Sequence, residues 1–164
     1  PPYKSCYVEV SENRPSLNIK LKYAGKDALI FEQWAKKYDL LSICEINGVI
    51  TQAEAQEQQA NAAVNLLLSW SAPDYYGVLT AKLYDYLAAG RPIMALVNGP
   101  RDPELTRVIE ESKIGICTYT SPDQATAIRQ WLAGLYQNWQ ENNGQLKWSA
   151  DAAKLAYLLV ADFK

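Results

Sequence analysis

The segment that most constrains the fold is residues 64–97, in which two apolar runs flank a loop and a helical pattern. The first apolar run ends in a loop of small residues, and Gly77 follows as the predicted start of the helix. The residues Gly90, Arg91 and Pro92 end the helical pattern before the second apolar run. This order predicts a strand, a loop, a helix and a strand, whose loop and helix N-terminus can hold a phosphate.

Strand-like runs recur along the whole chain. They cover residues 17–23, 41–46, 64–69, 93–97 and 114–119. Helical patterns lie between them and after the last one, so that strands and helices alternate strictly. This alternation predicts α/β architecture with a doubly wound parallel sheet, because parallel neighbours need helical crossovers. Residues 6–10 are a candidate extra strand, and the helix around residues 148–161 is expected to pack across the domain.

Start signals precede the helical patterns. Thr51 and Glu54 form a capping box, and Asp102 stands before Pro103 as a cap followed by a first-turn proline. The remaining helices are predicted to start near three polar residues, namely Asp27, Ser121 and Ser149.

Composition narrows the classes of function. The 164 residues suit one domain, which we expect to cover residues 1–164, and 49% hydrophobic residues suffice for an ordinary core. Sixteen basic and eighteen acidic residues give a net charge of -2, so a nucleic-acid partner is not expected.

Few residue types in this sequence could serve in catalysis or as metal ligands. Histidine is absent, which removes the commonest general base, triads built on histidine and the usual zinc ligand sets. No CxxC pair or DxD motif occurs, so we expect neither a metal nor a cofactor. The three cysteines lie mostly in apolar runs, which favours free thiols in a reducing compartment over a disulfide with one thiol left over.

No apolar run is long enough to span a bilayer, and no N-terminal signal pattern is present. These observations predict a cytoplasmic protein. The chain begins with Pro1 rather than Met, which suggests that it was cut from something longer.

Three loops at the carboxyl ends of predicted strands are candidate binding sites, because ligands of open α/β sheets bind there. The first loop contains Gly48, which lets backbone approach a flat ligand, followed by Val49 and Ile50, which could pack a base. The alternative is a plain strand-to-helix turn capped by Thr51.

The second loop runs from Trp70 to Gly77. Its aromatic residues, including Tyr76, together with Asp74 suit a sugar, whose faces stack on rings while its hydroxyls bond to carboxylates. The alternative is that these aromatics form a protein interface.

The third loop is the segment from Gly77 to Lys82. A diphosphate could bind there to the positive end of a helix dipole and to the charge of Lys82. Asp85, one turn further on, could accept both hydroxyls of a ribose. The predicted amide donors are those of Val78, Leu79 and Thr80. The alternative is a surface pair between Lys82 and Asp85.

The sequence GVLTAKLYDYLAAGRPI at residues 77–93 resembles the pattern GVLTxKLxEYLAAGRPI of group 1 GT-B glycosyltransferases, in their C-terminal nucleotide-sugar-binding domain. The resemblance covers Val64 through Leu105 and, more loosely, Leu17 to Lys164. It implies that the chain is the Rossmann-like donor-binding half of such an enzyme, lacking the N-terminal acceptor domain. By position, the residues from Gly77 to Thr80 would meet the phosphates and Asp85 the ribose.

Further assignments follow from the resemblance. Lys82 would approach the diphosphate or the donor sugar and act as the catalytic residue, while the residues from Gly48 to Ile50 would line the base. The family often has two glutamates eight positions apart, and here Gly77 and Asp85 occupy those positions. Asp74 and Tyr76 are the nearest substitutes for the first glutamate. For the basic residue that neutralises the diphosphate, the stand-ins are Arg14, Lys20 and Lys26.

The function implied is binding of a nucleoside diphosphate sugar and, together with the missing domain, transfer of the sugar to an acceptor. The leaving diphosphate would be stabilised without a metal, and the isolated chain would be inactive. Any membrane association would come through the missing part. The alternative is a non-catalytic α/β binding or assembly module, with protein contacts at Trp139, Trp148 and Tyr157. A receiver-like domain is disfavoured, because no matching set of acidic residues occurs.

Overall fold

The structure, a computed structural model, describes residues 5–10, 19–74, 77 and 79–161. The chain divides into two compact units, Pro1–Leu66 and Leu67–Lys164, called here the N-terminal and the C-terminal unit. Each unit combines strands with helices and contains a parallel strand pair, so the chain has α/β architecture.

The described residues of the N-terminal unit form three complete strands and two α-helices. These elements are β1 (Ser5–Val10), β2 (Ile19–Ala24), α1 (Ala28–Lys37), β3 (Cys44–Asn47) and α2 (Gln52–Asn61). Strand β2 pairs in parallel with β3, with Leu21 opposite Cys44, and pairs antiparallel with β1. The first residues of a fourth strand, β4 (Val64–Trp70), pair antiparallel with β1.

Strand β1 confirms the candidate extra strand, but its direction departs from the predicted parallel arrangement. Residues 11–18, which connect β1 to β2, are fewer than the dozen or so that a parallel crossover needs, whereas antiparallel neighbours need only a hairpin. Residues 17 and 18 of the predicted second strand lie outside the described residues.

The predicted strand over residues 41–46 is wrong in its first half. Residues Leu41–Ile43 form one turn of 3-10 helix, and β3 begins only at Cys44. Backbone bonds from Leu40 N to Ala35 O (2.8 Å) and from Ile43 N to Leu40 O (3.1 Å) continue the turning of the chain beyond α1. A short apolar run does not by itself distinguish a strand from a helical turn.

Among the residues of the N-terminal unit whose burial is described, from Ile19 onward, the core contains mainly small residues and one aromatic stack. Tyr23 of β2 stacks on Phe31 of α1 with their ring centroids 4.4 Å apart. Two other aromatic residues at the end of α1 are not buried, since Trp34 is 50% and Tyr38 62% exposed. The capping box of α2 is confirmed, with Glu54 N donating to Thr51 Oγ1 at 3.2 Å and Thr51 N to Glu54 Oε2 at 2.7 Å.

The C-terminal unit follows the predicted alternation. After β4 come α3 (Ala81–Ala89), β5 (Ile93–Asn98), α4 (Pro103–Glu111), β6 (Gly115–Tyr119), α5 (Gln124–Glu141) and α6 (Ala152–Ala161). Its strands lie in the order β4-β5-β6, and β5 pairs in parallel with β6, with Ile93 opposite Gly115. The carboxyl ends of β5 and β6 therefore meet at one edge of this unit.

One continuous core holds the C-terminal unit together. Side chains from β4 and β5 pack there against α3 and α4, and the core includes Leu67, Ile93, Val97, Leu83, Tyr86, Leu105 and Ile109. Leu158 of α6 is 1% exposed and belongs to this core. The C-terminal helix therefore packs against α4 and contributes to the core, rather than only crossing the surface as predicted.

Two predicted helix starts shift along the chain. The residue preceding α5 is Asp123 rather than Ser121, and its side chain makes no cap bond. Asp151 takes the place predicted for Ser149, because Lys154 N donates to Asp151 Oδ1 at 2.9 Å. Lys154 also forms an ion pair with Glu111 of α4 at 2.9 Å, which joins α6 to α4. Over the described part of the chain, no helix combines the length and apolar character needed to cross a membrane.

Candidate functional site

The third predicted loop lies where expected, between β4 and α3, but the helix starts later than predicted. Helix α3 begins at Ala81, with Thr80 as its N-cap, and not at Gly77. Gly77 has φ +78, a left-handed conformation that cannot begin a right-handed helix. Leu79 and Thr80 therefore precede the first helical turn, Leu79 packs against the core, and Val78 lies outside the described residues.

The N-terminus of α3 has neither a side-chain cap nor an acidic residue. Thr80 is extended (φ -74, ψ 155) and its side chain makes no cap hydrogen bond. The first turn carries Lys82 and no carboxylate. A cation close to the positive end of the helix dipole is unfavourable for the helix itself. The positive end of the helix dipole and the charge of Lys82 together form a favourable environment for an anion.

Lys82 and Asp85 lie one helical turn apart on α3, as predicted. Both are half-buried, and each interacts with another group of the protein. Their neighbours Leu83 and Tyr86 are buried in the core and fix the orientation of the helix. The helix ends at Gly90 (φ +66), which confirms the glycine stop.

Gly77 has a structural role that the sequence pattern does not indicate. Its N–H donates to Oδ2 of Asp102, at the start of α4, over 3.0 Å. A Cβ at residue 77 would collide with the carboxylate of Glu104. The Gly77 amide, predicted to meet a phosphate, is thus engaged by a carboxylate in this structure.

A second contact attaches the segment after β4 to the segment after β5. Ser71 N donates to Asn98 O at 3.1 Å, and the Ser71 hydroxyl donates to the carbonyl of Pro100. Gly99 (φ +135) allows this approach, because a Cβ there would collide with the backbone of Ser71. Arg101, in the same segment, adds an exposed basic side chain near this edge.

The aromatic loop is described only in part. Trp70, at the end of β4, is 60% exposed, and Asp74 is exposed as well. Tyr76 lies outside the described residues. The predicted sugar contacts of Asp74 and Tyr76 remain predictions.

The first predicted loop belongs to the N-terminal unit. Gly48, Val49 and Ile50 connect β3 to α2, with Gly48 O accepting a bond from Gly25 N at 2.9 Å. Val49 is 62% exposed, and a Cβ at Gly48 would meet nothing within 4 Å. Thr51 caps α2, as the plain-turn alternative requires. The predicted contact of this loop with a base remains a prediction.

Of the three basic residues predicted to neutralise the diphosphate, two are described by the structure. Lys20 is an exposed residue of β2 and Lys26 an exposed residue just after it, both in the N-terminal unit. Arg14 lies outside the described residues. Their role at a diphosphate remains a prediction.

A polar cluster between α4 and β6 was not apparent from the sequence. The hydroxyl of Tyr119 accepts a bond from Asp102 N (3.1 Å) and donates to Asp102 O (2.9 Å). The Cys117 thiol donates to the same hydroxyl at 3.2 Å. Burial, followed by the bond with Cys117, raises the pKa of Tyr119 to about 12. The only sequence signal was a tyrosine at the carboxyl end of a strand.

The remaining chemistry of the described residues is limited. In that part of the chain, no three His, Cys, Asp or Glu side chains come together in a way that could hold a metal ion. Cys44 and Cys117 are free thiols, and burial raises the pKa of both. Comparison with protein-family models, with curated proteins and with solved structures gives no match to this chain.

Proposed function

We propose that this chain is the donor-binding part of a glycosyltransferase, which binds a nucleoside diphosphate sugar in front of α3. In this proposal the parallel strand pairs belong to a doubly wound sheet, the Rossmann-like half of a GT-B enzyme. An additional domain would bind the acceptor. The free thiols of Cys44 and Cys117 support a cytoplasmic location.

The observation that carries the proposal is the N-terminus of α3. A lysine in the first turn of a helix opposes the dipole and costs roughly 0.3 to 1 kcal/mol. Thr80, which could offset this cost by capping the helix, makes no cap bond with its side chain. With an anion bound, Lys82 and the helix dipole no longer only oppose each other, because both attract the anion. Together they would stabilise the complex.

The described residues suggest a division of roles. The start of α3 and Lys82 would stabilise the charge that develops on the leaving diphosphate, which is the main catalytic requirement of such a transfer. Asp85, one turn further from the helix start, would accept the hydroxyls of the ribose. The sugar would then lie toward the segment that contains Asp74.

The alternative is a non-catalytic binding or assembly module. Of the aromatics predicted to mark its contact surface, Tyr157 is 66% exposed. Trp139 and Trp148 are half-buried, each against another aromatic ring of α5, Trp139 on Tyr136 and Trp148 on Trp131. Of these three predicted contact residues, Tyr157 on α6 is therefore the one whose exposure favours a module.

Calorimetric titration with UDP, GDP and ADP separates the two functions. The enzyme proposal predicts saturable binding of one of the three. Lys82→Ala should weaken that diphosphate at least tenfold and the matching nucleoside much less, because the lysine charge acts on phosphate. Lys147→Ala, which removes an exposed lysine elsewhere in the same unit, is the matched control and should bind like the wild type. Absence of binding at millimolar concentrations of all three would favour the module.

A further inference from the structure

We propose that Tyr119 is a positioning residue, which acts through Asp102 to hold the segment that leads into α3. The described part of this segment is residues 71–74, 77, 79 and 80. Tyr119 lies at the end of β6 and Asp102 at the start of α4, so the chain of contacts joins three consecutive strand-helix connections of the C-terminal unit.

The first step joins Tyr119 to the backbone of Asp102. The Tyr119 hydroxyl bonds to both polar backbone groups of that residue, to N at 3.1 Å and to O at 2.9 Å. The hydroxyl of Thr106 donates to the same carbonyl at 2.6 Å. Because one rigid phenol holds both groups, the backbone of Asp102 is fixed relative to β6.

The second step uses both carboxylate oxygens of Asp102, which is 3% exposed. Oδ1 accepts the N–H groups of Glu104 (3.1 Å) and Leu105 (3.0 Å) and so caps α4. Oδ2 accepts the N–H of Gly77 at 3.0 Å. A hydrogen bond to a buried carboxylate is stronger than a neutral one, so the Gly77 end of the contact is firmly held.

The third step concerns the close approach at Gly77. The left-handed φ of +78 strains any residue other than glycine at this position, and the end of the Glu104 side chain would have to move to admit a Cβ. Only residues 78–80 separate Gly77 from the first residue of α3. A shift of Gly77 therefore changes where the chain enters the helix, since each residue spans at most about 3.6 Å.

The protonation state of Tyr119 fits this role. With a pKa of about 12 the phenol remains neutral at physiological pH, and it can donate one hydrogen bond while it accepts others. The part of the inference that concerns ligands rests on the proposed function. Tyr119 would not touch the nucleotide, but its loss would weaken binding by releasing the start of α3.

The test follows the backbone amide of Gly77 by NMR in the full chain without ligand. Tyr119→Phe should make its hydrogen exchange at least tenfold faster and move its proton resonance upfield, because the bond to the carboxylate loosens. Tyr136→Phe on α5 loses a hydroxyl but keeps the ring that stacks on Trp139, and it should leave Gly77 unchanged. An unchanged Gly77 amide in Tyr119→Phe would overturn the inference.

Asp102→Asn provides a second test that does not remove the tyrosine. The side chain of asparagine offers one acceptor oxygen and an NH2 group, so it cannot both cap α4 and accept the Gly77 N–H. We expect the same upfield shift and faster exchange at Gly77, with little further change when Tyr119→Phe is added. Full additivity of the two substitutions at Gly77 would contradict a single chain of contacts.

Measuring nucleotide binding by the same variants distinguishes failure of the inference from failure of the proposed function. Among UDP, GDP and ADP, the one that binds the wild type should bind Tyr119→Phe about fivefold or more weakly, and Tyr136→Phe equally well. Unchanged affinity together with a released Gly77 would refute the link to the ligand only. If the wild type binds none of the three, the proposed function fails, and the Gly77 amide alone decides whether Tyr119 positions the segment.

Discussion

Helices α3 and α4 lie in the same unit and follow neighbouring strands, yet their N-termini are built in opposite ways. Helix α4 begins with a buried carboxylate cap at Asp102, a proline at the first position and Glu104 in the first turn. Helix α3 begins with Thr80, whose side chain makes no cap bond, and carries Lys82 in the first turn. The N-terminus of α4 is stabilised by its own side chains, whereas at α3 neither a side-chain cap bond nor a first-turn carboxylate is present, as the proposed anion site requires.

The difference is large enough to measure. An N-cap side chain contributes about 0.5 to 2 kcal/mol, and a charge in the first turn changes stability by about 0.3 to 1 kcal/mol in either direction. The start of α4 gains both contributions. The start of α3 gains neither from its own side chains.

The largest expected effect is on the stability of the α4 end. Asp102→Ala should lower the free energy of unfolding by about 2 to 4 kcal/mol, because it removes the cap and leaves the Gly77 N–H without its acceptor. Thr80→Ala at the matching position of α3 should cost less than about 0.5 kcal/mol, since no cap bond is lost. Urea denaturation of both variants measures the difference. Equal losses of stability would show that the two helix N-termini do not differ in their side-chain caps.

The next effect is on ligand binding at the α3 end. If Asp85 accepts two ribose hydroxyls, Asp85→Ala removes roughly 1.5 to 3 kcal/mol and weakens the nucleotide about tenfold to a hundredfold. A nucleotide that lacks those hydroxyls should bind the variant and the wild type alike. Equal calorimetric affinities of variant and wild type for the ordinary nucleotide would refute the assignment of Asp85 to the ribose.

A smaller effect is expected at Gly77, whose N–H joins the segment before α3 to Asp102 at the start of α4. Gly77→Ala should cost about 1 to 3 kcal/mol, because alanine is strained at φ +78 and the end of the Glu104 side chain must move away from its Cβ. Gly48→Ala is the matched control, since a Cβ there meets nothing within 4 Å. Thermal unfolding of the two variants should show a clear loss for the first and almost none for the second. The same loss in both would remove the argument for a required glycine at residue 77.

The smallest effect concerns α2, whose N-terminus resembles that of α4 in being capped by its own side chains. Hydrogen bonds from the backbone N–H and the hydroxyl of Thr51 lower the pKa of Glu54. A lowered pKa means that the contribution is present above the ordinary glutamate pKa and is lost as pH falls through the lowered value. The stability difference between wild type and Glu54→Gln should therefore shrink in acid. A difference that stays constant from pH 7 to about pH 3 would show that the capping box does not affect the titration of Glu54.

Local signals predicted much of the fold. From β2 onward the order of strands and helices agrees with the alternation of apolar runs and helical patterns. The caps at Thr51 and Asp102 were predictable, because a cap depends on residues within one turn of the helix. The glycine that ends α3 was predictable for the same reason.

The parts that were not predicted depend on contacts between elements distant in sequence. Helix α3 starts at Ala81 rather than Gly77 because Gly77 is left-handed (φ +78), and the Gly77 N–H donates instead to Asp102, 25 residues away. The bond of Tyr119 with the backbone of Asp102 spans 17 residues and leaves no periodic trace. Pairing of β1 with β4 is likewise invisible in either strand alone. Propensity and periodicity cannot report such contacts.

The most direct measurement follows the backbone amide resonances of both helix starts while the nucleoside diphosphate selected by calorimetry is added. Binding in front of α3 predicts saturable shifts of Ala81, Lys82 and Leu83 at or below about 1 mM, with Glu104 and Leu105 at the start of α4 unchanged. Shifts at α4 without shifts at α3, or no saturable shift at either helix, would contradict the assignment of the α3 N-terminus as the anion site.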